Sequence, residues 1–119
     1  MMADDAQVLD RGMIEKLRKL EALAAPGLVK QVIELFLGPL DARIARLKSL
    51  AAAADAPGVE SEAHALKGVA AQVGAGQVAA ACGALEAAAR EQDLSDAAGL
   101  VARLEDAAVQ ARAALAKEL

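Results

Sequence analysis

The sequence predicts an all-α protein, an antiparallel up-down-up-down four-helix bundle with an additional short N-terminal helix. Three observations carry this. More than a quarter of the 119 residues are alanine, with one Phe and no Trp or Tyr; a core of Leu, Val, Ile and Ala favours closely packed helices over a β-sandwich. Apolar residues recur at spacings of three and four, the period of an amphipathic helix. The periodic stretches are joined by short Pro- and Gly-containing connections, which make successive helices antiparallel neighbours. The length suits a single domain, residues 1–119, around one core.

Met1 to Leu9 reads as a loose lead-in. It is acidic and lacks the apolar region of a secretory signal. Asp10 can cap a first helix to about Leu23, with Met13, Leu17 and Leu20 as its apolar stripe. Its other face carries Arg11, Lys16, Arg18 and Lys19, either a solvated face or a docking surface for an acidic partner. Ala25-Pro26-Gly27 breaks that helix, and Pro26 suits the first turn of the next. From Leu28 to Ala54 the residues Val29, Val32, Ile33, Phe36, Leu40, Ile44 and Leu47 keep a helical period. Gly38-Pro39 predicts a kink or short break, because proline removes a backbone donor.

Asp55-Ala56-Pro57-Gly58 reads as the following loop. Glu60 and Glu62 then fall in the first turn of the next helix, where negative charge suits the helix dipole. That helix carries Val59, Ala63, Leu66, Ala70 and Val73 as its apolar stripe. After Val73-Gly74-Ala75-Gly76, a helix from Gln77 to about Glu91 buries Val78, Cys82, Leu85 and Ala89. Glu86 and Arg90 form an i,i+4 pair on its flank. Asp93 to Ser95 is read as the cap of the last helix, in which Leu100, Leu104, Ala108, Ala111 and Leu115 repeat.

Composition excludes several functions. A net charge of −4 and a pI near 5 lack the basic footprint of nucleic-acid binding. The near absence of aromatics removes stacking platforms. Gly68 to Leu85 is uncharged for 18 residues, close to membrane-span length, but four glycines and two glutamines make it too polar to span. Cys82 stands alone on an apolar face, as a reduced thiol in a cytoplasmic protein does. No P-loop or kinase glycine-rich loop is present, so no ATP site is expected.

The most informative stretch is His64 to Gly74, HALKGVAAQVG, which holds the only histidine. At about 100° per residue, His64 lies roughly 150° from the centre of the apolar stripe and therefore faces solvent. Lys67 and Gly68 share its side one turn on, with Glu60 and Ala71 beside them. A metal site is disfavoured, since zinc wants three or four ligands and the chain has one His and one Cys. Two readings remain: an ordinary surface histidine, or one that carries a chemical group. Gly68 favours the second. Glycine inside a helix costs up to ~1 kcal/mol relative to alanine, and a chain this rich in alanine places one here as if clearance were needed.

The run AHALKGVAAQVGAGQVAAACGALEAAAR, Ala63 to Arg90, resembles the histidine-containing phosphotransfer (HPt) domain of bacterial phosphorelays. That pattern is roughly a-H-x-L-K-G-[SA]-x-x-x-[LV]-G-[AL], then x-x-L-x-x-x-C-x-x-L-E. His64, Leu66, Lys67, Gly68, Val73, Gly74, Ala75, Cys82, Leu85 and Glu86 fall in register. Val69 and Val78 depart mildly from it.

The resemblance implies the same bundle and a phosphoryl carrier, not an ATP-using kinase. His64 would be the phosphoacceptor, since a neutral imidazole (ordinary pKa ~6.5) is a nucleophile. Lys67 would stabilise phosphoryl charge and Gly68 would give steric clearance, with Glu86 and Arg90 flanking the site. No carboxylate cluster is evident around His64, so no cofactor of its own is implied; Mg²⁺ would sit on the partner. The implied partners are receiver domains of response regulators or hybrid histidine kinases, with His64 taking phosphate from one receiver aspartate and passing it to another. Two rivals are a non-catalytic helical adaptor and a dimerising kinase module. One chain already supplies enough helices for a bundle, which favours a monomer. The leading Met1 suggests a free-standing protein, and a domain excised from a hybrid kinase would read the same.

Overall fold

Six helical segments follow one another in the computed structural model, which describes residues 8–119. They are α1 (Arg11–Ala24), α2 (Leu28–Leu37), α3 (Leu40–Ala52), α4 (Ala56–Gln72), α5 (Gly76–Arg90) and α6 (Ala97–Ala116). No strand occurs among the described residues. Helices α3 to α6 form the four-helix bundle: each packs on the next, and α6 closes back on α3. α2 and α3 are the two halves of the helix expected from Leu28 to Ala54, broken at Gly38-Pro39. Proline offers no N–H to the carbonyl four residues back, so the ladder stops and restarts there.

The apolar periodicity becomes the core almost residue for residue. Ile33, Leu40, Leu47, Val59, Leu66, Val78, Leu85, Leu104 and Leu115 are fully buried. Side-chain charges pin α3 to its neighbours: Arg46 to Glu62 at 3.3 Å and Arg112 to Asp41 at 2.8 Å. Such exposed pairs contribute little energy and mainly fix orientation.

Several boundaries differ from the sequence reading. Val8 and Leu9 are not loose but buried in the core; the remaining lead-in, residues 1–7, lies outside the described residues. Asp10 caps α1 as expected, its carboxylate accepting from Met13 N at 3.2 Å. The buried stripe of α1 is Ile14 and Leu17, whereas Met13 is half-buried and Leu20 exposed. The helix is anchored at its start: Asp10 N donates to Gly74 O at 2.7 Å, so Val8, Leu9 and Ile14 cover the end of the bundle where α4 turns into α5. Pro26 precedes α2 instead of entering it, because Gly27, with φ 80°, makes the turn.

Ala56-Pro57-Gly58 is the first turn of α4 and not a loop. Asp55 caps it through Gly58 N at 3.0 Å, and proline fits an early helical position whose N–H would be unpaired anyway. Glu60 and Glu62 consequently lie beyond the first turn. Asp93 is not the cap of α6: its carboxylate is engaged by Ser95 N and Oγ, and Asp96 occupies the cap position.

The uncharged run from Gly68 to Leu85 is divided between α4 and α5 by the turn at Gly74. Among the described residues no helix is long and apolar enough to cross a membrane.

Candidate phosphoacceptor site

His64 lies midway along α4, and the stripe opposite it, Val59, Ala63, Leu66, Ala70 and Val73, is buried. The helical period therefore forces the imidazole outward, and its side chain is 69% exposed. Lys67 follows on the same face, half-buried. Gly68 is exposed, and a Cβ built there would meet nothing within 4 Å. Nothing in the protein packs above Gly68, so no packing requirement explains the glycine.

The neighbouring helix brings Glu86, which the resemblance places at the flank of the site, against the imidazole. Glu86 is the buried charged residue of the described chain, 4% exposed. It sits on α5 at the level of His64, and its carboxylate serves three cations or donors at once. His64 Nδ1 lies 2.6 Å from Oε2, Lys67 Nζ donates to Oε1 at 2.5 Å, and an Arg90 terminal nitrogen donates to Oε2 at 3.2 Å. Arg90 Nε also reaches Glu60 Oε1 at 3.3 Å. Two carboxylates stand within a turn of His64, one of them against the ring.

The Lys67 hydrogen bond holds the Glu86 carboxyl below the ordinary carboxylate value. Burial opposes this, and the His64 hydrogen bond adds to it. An ionised carboxylate can only accept, so the proton between Glu86 and His64 belongs to Nδ1. The other ring nitrogen, Nε2, is left to carry chemistry. Cys82, one turn before Glu86, is inert: burial pushes its thiol up to about 12, although Lys67 pulls it down.

Of the five residues singled out in sequence, His64, Lys67, Glu86 and Arg90 form one connected network, and Gly68 lies beside it without contact. Lys67 differs most from its expected role, because its ammonium is already the counter-charge of Glu86. Glu60, expected to suit the helix dipole, is the second anchor of Arg90. The signal for Glu86 was present: Cys82, Leu85, Glu86 and Ala89 follow the i, i+3, i+4, i+7 spacing of an inward face.

A hollow of about 430 Å³ opens beside the imidazole, lined by Pro57, Glu60, Ser61, His64, Glu86 and Arg90. Among the described residues no group of three His, Cys, Asp or Glu is placed to hold a metal ion. The arrangement can orient a ring nitrogen toward solvent, neutralise positive charge that develops on the ring, and admit another molecule beside it.

The Hpt domain family matches residues 31–114. The fold is similar to the crystal structure of histidine-containing phosphotransfer protein B (HptB) from Pseudomonas aeruginosa. The TM-score is 0.83 at 26% identity, covering 95% of each chain. No curated protein sequence matches.

Proposed function

Because the chain belongs to the Hpt domain family, phosphoryl carriers of phosphorelays rather than kinases, we propose that His64 accepts a phosphoryl group from a receiver-domain aspartate and passes it to another. The observation that carries this is the exposed imidazole whose Nδ1 is held by the buried Glu86 carboxylate.

In the proposed step the Nε2 lone pair attacks the phosphorus of an aspartyl phosphate. The N–P bond forms as the P–O bond to the aspartate breaks, and the aspartate leaves with that electron pair as a carboxylate. Nδ1 keeps its proton, so the phosphorylated ring is cationic, and Glu86 stabilises it from the side away from the phosphorus. The second transfer reverses these changes onto another aspartate. Phosphoryl transfer asks chiefly for positioning and charge neutralisation. Lys67, on the same face as His64, balances Glu86 and stays within reach of the phosphoryl oxygens. Gly68 leaves room for the receiver to close. Arg90 donates to the same Glu86 oxygen that faces Nδ1 and helps hold it in place. Mg²⁺ bound by the receiver would neutralise phosphoryl charge there.

The same reading takes residues 1–119 as one cytoplasmic domain acting as a monomer, since one chain supplies all the helices of the bundle. The test is incubation with a phosphorylated receiver domain. The wild type should acquire acid-labile phosphate, and a folded His64→Gln variant should acquire none. Label persisting on that variant would sink the assignment, and a wild type that binds receivers without taking label would be an adaptor.

A further inference from the structure

We propose that the hollow between the α3–α4 and α5–α6 turns seats a convex, positively charged element of the docked receiver domain, and so contributes to partner choice. This rests on the carrier reading of His64. The hollow measures about 750 Å³, with a floor of small side chains, Ala51, Ala54, Ala56 and Ala89. It shares Pro57, Glu60 and Arg90 with the smaller hollow beside the imidazole, so the two form one trough.

Reach requires a receiver to cover it. Glu60 precedes His64 by one turn, a rise of ~6 Å, and Pro57 by seven residues, ~10 Å. A specific interface buries roughly 800 Å² per partner, a patch extending roughly 16 Å from its centre. A receiver centred on His64 therefore extends past Pro57. In the other direction the face is low, with Lys67, Gly68 and Ala71 and nothing above the glycine. Both hollows on this face lie toward Pro57.

Charge selects what fits. Arg90 is engaged by Glu60 and Glu86, while the Asp93 carboxylate on the rim bonds only to Ser95 of its own turn. With Glu60 already paired to Arg90, Asp93 is the rim carboxylate placed to meet a cation from outside. The backbone also marks this end. Ala54 (φ 53°) and Gln92 (φ 58°) are the non-glycine left-handed residues among those described, and both line this hollow. The equivalent helix end at the opposite pole uses Gly74. Strain of this kind concentrates where a surface is shaped for a function.

The test uses Ser95→Trp, which fills the hollow, and Asp93→Lys, which reverses its rim charge; both positions are exposed. A panel of receiver domains from the same organism, phosphorylated with acetyl phosphate, serves as donors. Phosphoramidate serves as a donor too small to need the hollow. Both variants should raise KM for the receiver at least tenfold with kcat within twofold, and should take phosphate from phosphoramidate at the wild-type rate. An unchanged KM in Ser95→Trp overturns the proposal, as does a loss with phosphoramidate, which would place the effect at His64 itself. If only Ser95→Trp raises KM, the seat stands and its positive occupant is overturned; if Ser95→Trp does not fold, Asp93→Lys decides alone. A wild type labelled by phosphoramidate and by no receiver overturns the carrier reading, and this seat with it.

Discussion

Glu86 Oε2 lies 2.6 Å from His64 Nδ1, across 22 residues of sequence. Because this carboxylate is ionised, it fixes the ring's orientation and leaves Nε2 free, and it is placed to stabilise the cationic phosphorylated ring. Glu86→Ala should slow phosphoryl acceptance by roughly tenfold or more, as expected when a charge-assisted hydrogen bond is lost. Glu86→Gln keeps an acceptor for Nδ1 but removes the charge, so the rate should fall less, and the phosphorylated form, its cation no longer stabilised, should hydrolyse faster. Single-turnover rates and phosphohistidine lifetimes check both.

Lys67 bears on acid stability. A carboxyl depressed on folding contributes stability that is fully present above its ordinary value, 4.5 here, and is lost as pH falls through the lower folded value. The melting temperature should therefore drop below about pH 4.5 as Glu86 protonates. In Lys67→Ala the largest cause of the depression is gone, so the dependence should flatten. An unchanged pH profile would mean that Lys67 does not govern Glu86.

Glu118 makes the same argument at the other pole. Burial raises its carboxyl, but hydrogen bonds and charge from Arg18 and Arg11 outweigh this and leave it depressed. Arg11 reaches it at 3.1 Å and Arg18 at 3.0 Å, tying the end of the chain to α1. Glu118→Gln should cost about 1 kcal/mol or less at pH 7, because the arginines are well exposed, and that difference should vanish in acid. Denaturant melts at pH 7 and pH 3 read it directly.

At Gly68 stability and transfer should move in opposite directions. A side chain there meets nothing in the protein, so Gly68→Ala or Gly68→Gln should stabilise α4 by up to ~1 kcal/mol. Gly68→Gln should nevertheless slow transfer from a receiver, with Gly68→Ala milder. A more stable variant with normal transfer would remove the clearance argument.

The left-handed helix ends give a paired prediction. Gln92→Gly should stabilise by up to ~1 kcal/mol, because glycine adopts that conformation without a Cβ penalty. Gly74→Ala should destabilise by more than that. Its φ is 78°, and the added Cβ would lie 3.1 Å from Asp10 O and 3.2 Å from Ile14 Cδ1. Thermal melts of the two variants should shift in opposite directions.

The sequence alone determined the helical class, the order of the helices and the outward direction of His64, Lys67 and Gly68. All three follow from the 3.6-residue period, which relates residues within a turn or two and needs no knowledge of neighbouring helices. Helix starts were less legible: Pro57 and Gly58 resemble a loop yet fill the first turn after Asp55, and before α6 Asp93, Ser95 and Asp96 could each serve as cap, with only backbone geometry selecting one. Tertiary structure alone decided that Glu86 is buried against the imidazole, that Lys67 is its counter-ion, that Arg90 reaches Glu60, and that Glu118 holds α1. These contacts join residues between 19 and 107 positions apart. They depend on how far α5 and α1 are rotated about their axes when they pack, which close packing of alanine-rich faces sets and no local pattern encodes.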